Sequence, residues 1–204
     1  MNNINYQRKM EDVINRLGDR KPRLLLQCCC APCASAVLER LAPHFTLGLY
    51  FYNPNIAPYE EYLIRKEELC RLVGEMGIEA ELIDALYDSD GFYAMAKGLE
   101  DAPEGGSRCM GCFDLRLSAT AQAAKDWGAE YFCTTLSISP LKSAGAINAI
   151  GERIGQQVGV NWLPSDFKKK GGYQRSIELS RQYRLYRQNY CGCEFSRRAG
   201  VSIF

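Results

Sequence analysis

The most constraining feature of the sequence is a run of cysteines between a predicted strand and a predicted helix. The apolar run Arg23–Gln27 is followed by Cys28-Cys29-Cys30-Ala31-Pro32-Cys33 and then by residues 34–41, whose apolar side chains recur at helical spacing. Pro32 suits a first helical turn because its missing N–H costs nothing there. The positive end of the helix dipole then favours thiolate over thiol, and thiolates bind metals.

Two further cysteine pairs lie far downstream, Cys109-x-x-Cys112 and Cys191-x-Cys193. Disulfide frameworks are typical of small secreted domains, whereas this chain has 204 residues and begins with a polar, charged segment that does not resemble a secretory signal. We therefore expect metal or redox chemistry in the cytoplasm. The single histidine, His44, follows a predicted helix and is interpreted as structural, which disfavours mixed Cys/His zinc sites. An iron–sulfur cluster or an all-cysteine zinc site remains.

Alternating strand and helix patterns predict an α/β fold. Strands are predicted at residues 23–27, 45–52, 80–83, 130–135 and 158–163. Helices are predicted at residues 4–17, 34–41, 59–76, 92–99, 108–127, 146–157 and 174–186. This order implies a Rossmann-like parallel sheet of about five strands with right-handed crossovers. We interpret residues 1–204 as one metal-binding domain, with an N-terminal helix in residues 1–20, a cysteine-bearing insertion and a basic helical tail in residues 165–204.

The cysteine clusters are expected to meet in one site, because ligands bind outside the carboxyl ends of the strands in open α/β sheets. The candidate metal ligands are Cys29, Cys30, Cys33, Cys109, Cys112, Cys191 and Cys193. A [4Fe–4S] cluster uses about four thiolates, so the surplus indicates a second metal ion or a redox pair.

The remaining cysteines receive other interpretations. Cys70 and Cys133 lie in apolar stretches and are expected in the core, where free cysteine packs as a small hydrophobe. Cys28 is ambiguous and is left out of the site. Cys29 and Cys30 are adjacent in an extended turn, so we expect their side chains to point in different directions and not to bind the same metal atom.

The last fifth of the chain is strongly basic. Residues 165–204 hold nine Lys/Arg against three Asp/Glu, whereas the rest of the chain is net acidic. Tyrosines are interleaved with these cations, a pattern that predicts RNA binding because cations contact phosphates and aromatic rings stack on exposed bases. A solvated amphipathic helix is the alternative. The cations expected to contact RNA are Lys168, Lys169, Lys170, Arg184 and Arg187.

Six motifs, taken in order, resemble those of a known family. They are Cys29-Cys30-Ala31-Pro32-Cys33, Tyr52-Asn53-Pro54-Asn55-Ile56, Arg108-Cys109-x-x-Cys112, Thr134-Thr135-Leu136-x-x-Ser139-Pro140-x-Lys142, Asp166-Phe167-Lys168-Lys169 and Leu185-Tyr186-Arg187-Gln188-Asn189-Tyr190-Cys191-Gly192-Cys193. Together they resemble the epoxyqueuosine reductases of the cobalamin-independent QueH type over about residues 23–196. Gln27 stands where this family is expected to have a histidine.

The resemblance implies a fold similar to the PP-loop (HUP) nucleotide hydrolases and the last step of queuosine synthesis. In that step, two electrons remove the epoxide oxygen of epoxyqueuosine at the tRNA wobble position, giving an alkene and water. The resemblance also implies a [4Fe–4S] cluster with an adjacent mononuclear iron. Our mechanistic hypothesis is that the second iron acts as a Lewis acid on the epoxide oxygen while the cluster passes electrons from a ferredoxin or flavodoxin.

Four further residues are candidates to supply protons or hold the substrate: Asp84, Lys142, Asp166 and Tyr173. Two other functions stay open from the sequence. An ATP-dependent tRNA sulfurtransferase would share the fold, but its phosphate loop needs a Ser/Gly-rich backbone after the first strand, where this chain has cysteines. A zinc-stapled RNA-binding module would need no redox activity.

Overall fold

The computed structural model describes residues 4–188 and 190–196 of the chain. Residues 1–3 of the predicted N-terminal segment, Asn189 of the last motif, and Arg197 and Arg198 of the basic tail lie outside them. The helices are α1 Tyr6–Leu17, α2 Ala31–Leu41, α3 Tyr59–Glu75, α4 Ser89–Ala96, α5 Ser107–Trp127, α6 Ala144–Val158 and α7 Gly172–Gln182. The strands are β1 Arg23–Gln27, β2 Thr46–Tyr50, β3 Ala80–Ile83, β4 Tyr131–Thr134 and β5 Asn161–Trp162. Short 3-10 turns cover Thr135–Ile138 and Glu194–Ser196.

The five strands form one parallel sheet in the order β3-β2-β1-β4-β5, which confirms the predicted fold class. The three leucines of β1 are fully buried, because β1 is the central strand and helices cover both faces of the sheet. Helix α2 packs against α3 and α7, and α5 packs against α4 and α6. The strand order reverses between β1 and β4, so the turns that follow these two strands flank the switch point where ligands bind in such sheets.

Helix α7 and strand β5 are among the elements whose bounds differ from the sequence prediction. Helix α7 ends at Gln182 and not near residue 186, because the chain turns at Tyr183 and Arg184, whose φ is +48°. Strand β5 covers only Asn161–Trp162, because residue 158 still belongs to α6 and Gly159 caps that helix in the left-handed conformation.

The prediction that Cys70 belongs to the core is wrong. Helix α3 buries Tyr62, Arg65, Leu69 and Leu72, which share one face at spacings of three and four residues. Cys70 follows Leu69 by one residue, about 100° around the helix, and is exposed. Cys133 in β4 is fully buried, as predicted. No helix among the described residues is both long and apolar enough to cross a membrane.

Candidate metal centre

The turn after β1 brings three sulfur atoms together. Cys30 is the N-cap of α2, with an extended backbone (φ −173°, ψ 163°), and Pro32 lies in the first helical turn as predicted. The Sγ atoms of Cys29 and Cys30 are 3.8 Å apart, and those of Cys29, Cys30 and Cys33 all lie within 4.8 Å of one another. The expected divergence of Cys29 and Cys30 is therefore wrong, and the three sulfurs are close enough to bind one metal ion.

Cys29 is the most acidic thiol of this group. Hydrogen bonds from Cys30 and Cys33, assisted by the charge of Arg116 and the hydroxyl of Thr135, hold the pKa of Cys29 well below its usual range although burial opposes the shift. The anionic partner and burial raise the pKa of Cys30 to about 12 and also raise that of Cys33. These contacts favour the thiolate form of Cys29, which is the ligand form that metals require.

Thr135 connects the two strands at the switch point. Its hydroxyl accepts a hydrogen bond from the Cys29 backbone N–H at 3.2 Å and lies 3.3 Å from the Cys29 Sγ, to which it donates. A neighbouring buried network joins Gln27, Thr134 and Asn53: Thr134 donates to Gln27 at 2.7 Å, and the Gln27 amide donates to Asn53 at 3.2 Å. Gln27 thus makes buried hydrogen bonds at the position where a histidine was expected.

A cavity of about 60 Å³ opens beside the three sulfurs. Its lining includes Cys191 and Lys142, whose Nζ atom donates to the Cys191 Sγ at 3.4 Å. Burial alone would lower the pKa of Lys142, but the Cys191 and Cys29 sulfurs and Glu104 outweigh it, so that its pKa is raised and the ammonium form is held. We name this space the first cavity. Its lining residues are Cys29, Cys30, Cys33, Asn53, Arg65, Glu104, Arg116, Leu136, Ser139, Leu141, Lys142, Gln188, Tyr190 and Cys191.

The second cavity, of about 20 Å³, adjoins the first. It is lined by Cys109, Cys112 and Cys193, and it shares Arg116, Lys142 and Cys191 with the first cavity. Burial raises the pKa of Cys112 to about 11 and raises that of Cys193. All seven cysteines proposed from the sequence therefore line two adjoining cavities, with Cys191 in the wall between them.

Contacts with α3 hold the segment that carries Cys191 and Cys193. Arg65, which is 2% exposed and pairs with Glu61 at 2.7 Å, donates to the Cys191 carbonyl at 3.3 Å. Glu68 accepts from the Tyr186 backbone N–H at 2.6 Å. The position of these two cysteines therefore depends on contacts between parts of the chain that are far apart in sequence.

The four residues proposed to supply protons or hold substrate lie in different places. Lys142 lines both cysteine cavities, whereas Tyr173 lines a third cavity of about 50 Å³ that shares Cys30 and Cys33 with the first. Asp166 is not part of the lining of these three cavities, and it pairs with Lys168 at 2.6 Å. Asp84 follows β3 and lines an open cleft beside Trp127 that contains no cysteine.

The five cations proposed to contact RNA also differ in their surroundings. Lys168 pairs with Asp166, and Lys170 pairs with Glu11 at 2.5 Å. Lys169 and Arg184 are exposed, and Arg187 lines the third cavity.

Sequence reasoning missed the buried cations of the site. Arg65, Arg108 and Arg116 are each 1–3% exposed and line the cysteine cavities. Arg116 had a signal in the sequence: it follows Cys109 by seven residues and Cys112 by four, so all three lie on one face of α5. Arg65 had none, because its role depends on contact with the Cys191 segment.

The parallel α/β sheet defines a protein of the Rossmann-like class, and the cysteine sulfurs gathered at its switch point fit metal binding. Comparison with known proteins narrows this class. The family model described as "Epoxyqueuosine reductase QueH" matches residues 24–199. Proteins of that name from Staphylococcus epidermidis and Staphylococcus aureus are 42% and 40% identical, each over 95% of this chain and 84% of the relative. The one from Histophilus somni is 45% identical over 86% of this chain and 72% of the relative. The chain belongs to the QueH family of epoxyqueuosine reductases.

Proposed function

We propose that this chain is an epoxyqueuosine reductase that acts on tRNA in the cytoplasm. In the proposed reaction the epoxide of the wobble nucleoside takes up two electrons and two protons, its two C–O bonds break, and an alkene and water form. Family membership supports the reaction. The observation that carries the proposal for these residues is the wall shared by the two cysteine cavities, where Cys191 and Lys142 are in contact at 3.4 Å.

We propose that the seven cysteines hold a [4Fe–4S] cluster and a second, mononuclear iron. The donor set fits these groups, because it consists of thiols and exceeds by three the roughly four that one cluster uses. The buried cations Arg65, Arg108 and Arg116 line the same cavities and would offset the negative charge of thiolate-bound iron. When bound, the cluster would supply electrons one at a time and the second iron Lewis acidity. A low-potential ferredoxin or flavodoxin is the proposed electron donor.

Lys142 is the best-placed proton donor among the four candidates. Its side chain lines both cysteine cavities and its Nζ atom donates to the Cys191 Sγ, so we propose that it donates a hydrogen bond and then a proton to the oxygen that leaves as water. Tyr173 lies in the adjoining third cavity, next to Arg187. There we propose that its ring contacts the nucleoside while Arg187 contacts a phosphate. Asp84 and Asp166 line none of these three cavities, so the cavities give no support for a role of either residue in the reaction.

The proposed RNA-binding surface combines Arg187, which lines the third cavity, with the exposed Lys169 and Arg184. Lys169, Arg184 and Arg187 are its proposed cations. Lys168 and Lys170 pair with Asp166 and Glu11 and must exchange these partners to contact phosphate. Lys169→Ala should therefore weaken tRNA binding and reduce its salt dependence by about one counterion, and Lys170→Ala should do so less. Equal affinity and an unchanged salt slope for Lys169→Ala would remove Lys169 from this surface.

Turnover of the natural substrate tests the proposal. Anaerobically purified protein, a reduced low-potential donor and tRNA that contains epoxyqueuosine are incubated, and the nucleosides are analysed by mass spectrometry for loss of one oxygen atom. Cys109→Ser should abolish this loss and the iron content. Cys70→Ser is the matched control, since Cys70 is exposed on α3 and should be fully active. Deoxygenation by Cys109→Ser at the rate of the unchanged protein would contradict the assignment.

A further inference from the structure

Arg116 is a buried cation without a carboxylate partner. It is 1% exposed and has the largest side chain among the fully buried residues of the described chain. Its Nη2 atom donates to the Asn53 Oδ1 at 2.5 Å, and its Nε atom is buried with no hydrogen-bond partner. None of the ion pairs that the described residues form includes Arg116.

Burying a guanidinium in this way is unfavourable. An unpaired charge in a protein interior costs several kcal/mol, and a neutral amide oxygen such as that of Asn53 offsets only part of this cost. The other two buried arginines also have one buried nitrogen each without a hydrogen-bond partner, but they make more hydrogen bonds than Arg116. Arg65 pairs with Glu61, and the Nη1 atom of Arg108 donates to three carbonyls of the loop that precedes α5, at 2.7–2.9 Å. Arg116 thus has neither the carboxylate partner of Arg65 nor the three carbonyl partners of Arg108, and its charge acts on the Cys29 sulfur, whose pKa it helps to lower.

The position of Arg116 indicates where its counter-charge belongs. It lines both cysteine cavities, together with Cys191 and Lys142. Four thiolates around Zn²⁺ or around a [4Fe–4S]²⁺ core leave a net charge of about −2, so metal loading brings negative charge to these two cavities. This charge would lie beside the guanidinium, in an interior where charges interact more strongly than in water.

We propose that Arg116 is a positioning residue that offsets the negative charge of the metal centre and thereby sets its reduction potential and its retention of metal. A positive charge next to the centre favours the reduced, more negative form, so that a weaker reductant suffices. The inference rests on the metal content in the proposed function but not on its substrate. The side chain contacts neither the substrate nor the reacting atoms in this role.

Three substitutions separate charge from structure. Arg116→Met removes the charge at similar volume, Arg116→Gln also keeps a polar group near Asn53, and Arg116→Lys keeps the charge. Arg153→Met is the control, because Arg153 is an exposed arginine of α6 that pairs with Asp114. Each protein is purified without oxygen as the loaded full chain, and its iron, sulfide and zinc contents are measured. Its reduction potential is then determined by dithionite titration, and its metal loss to a chelator is timed.

The expected result is a fall of at least about tenfold in the one-electron reduction equilibrium constant for Arg116→Met, equivalent to about 59 mV. Metal loss from Arg116→Met should be faster by a similar factor. Arg116→Gln should behave like Arg116→Met in both measurements, whereas Arg116→Lys should be close to the unchanged protein. If Met and Gln variants hold no metal while the Lys variant does, the inference is also supported. It is overturned if Arg116→Met matches the unchanged protein, or if the Lys variant fails as badly as the Met variant. Zinc without sulfide would refute the reductase proposal, and chelator resistance alone would then decide the role of Arg116.

Discussion

Gly192→Ala should lower the metal content of the protein through a purely steric effect. Gly192 separates Cys191 from Cys193 and has φ +107°, a conformation that side chains with a Cβ rarely adopt. An added Cβ would lie 2.8 Å from the Ile56 Cγ1 atom and 3.1 Å from the Arg65 Nη1 atom. Neither neighbour can easily move, since Ile56 and Arg65 are 1% and 2% exposed and Arg65 is held by Glu61.

The magnitude follows from two contributions. Backbone strain at such a φ costs about 1–3 kcal/mol, and overpacking a buried contact costs a further 1–3 kcal/mol or so. A loss of about 2–6 kcal/mol in the free energy of unfolding lowers the melting temperature by roughly 5–20 °C in a chain of this size. Loss of the hydrogen bond from the Ala57 N–H to the Gly192 carbonyl would relieve part of this strain. The segment would then shift, and this shift would displace both Cys191 and Cys193.

Gly159→Ala is the matched control. Gly159 also has a positive φ, +83°, but an added Cβ would meet no atom within 4 Å, and the residue caps α6 away from the cavities. This variant should lose only the strain of the left-handed conformation, about 1–2 kcal/mol, and keep its full metal content. Both variants are compared by thermal melting and by metal analysis. A Gly192→Ala variant with the metal content of the unchanged protein would refute the reasoning, whatever its melting temperature.

Three other predictions concern the contacts that position the site. Thr135→Val removes the hydroxyl that contacts both the Cys29 N–H and its Sγ atom, so unfolding should become easier by about 1–3 kcal/mol in a denaturant titration, whereas the exposed Thr46→Val should have little effect. Hydrogen bonds from Arg71 and the Tyr186 N–H lower the pKa of Glu68, so its contribution to stability is full above the ordinary carboxyl pKa and is lost as the pH falls through the lower folded value. Glu68→Gln should therefore remove about 1 kcal/mol near pH 7 and nothing at strongly acid pH, and an equal loss at both pH values would contradict this account. Cys30→Ser should lower the metal content, whereas Cys133→Ser should lower stability and leave the metal content of the folded protein unchanged.

The sequence predicted the sheet and the placement of the first cysteines between β1 and α2, because local patterns determine both. The apolar run of β1, Pro32 and the helical spacing after it are contiguous, and each requires the same strand, turn and helix. The cysteines then had to lie at the switch point, since the carboxyl ends of parallel strands share one edge.

The second half of the site depends on contacts that leave no local pattern. Helical periodicity continues past Gln182, whereas the turn there is stabilised by contacts distant in sequence, such as those of Glu68 and Arg71 with the backbone of Tyr186 and Tyr183. Cys70 lies close in sequence to Leu69, Leu72 and Val73, so hydrophobicity alone assigned it to the wrong face of α3. Hydrophobic patterns also assign arginines to the surface, so the burial of Arg65 and Arg116 could not be predicted in this way.

The iron, acid-labile sulfide and zinc contents of the anaerobically purified chain test the central claim most directly. If the three cysteine clusters form one redox centre, the chain should contain about four sulfides and more than four irons, with little zinc. Zinc without sulfide would contradict the account and leave the gathered cysteines as a structural metal site.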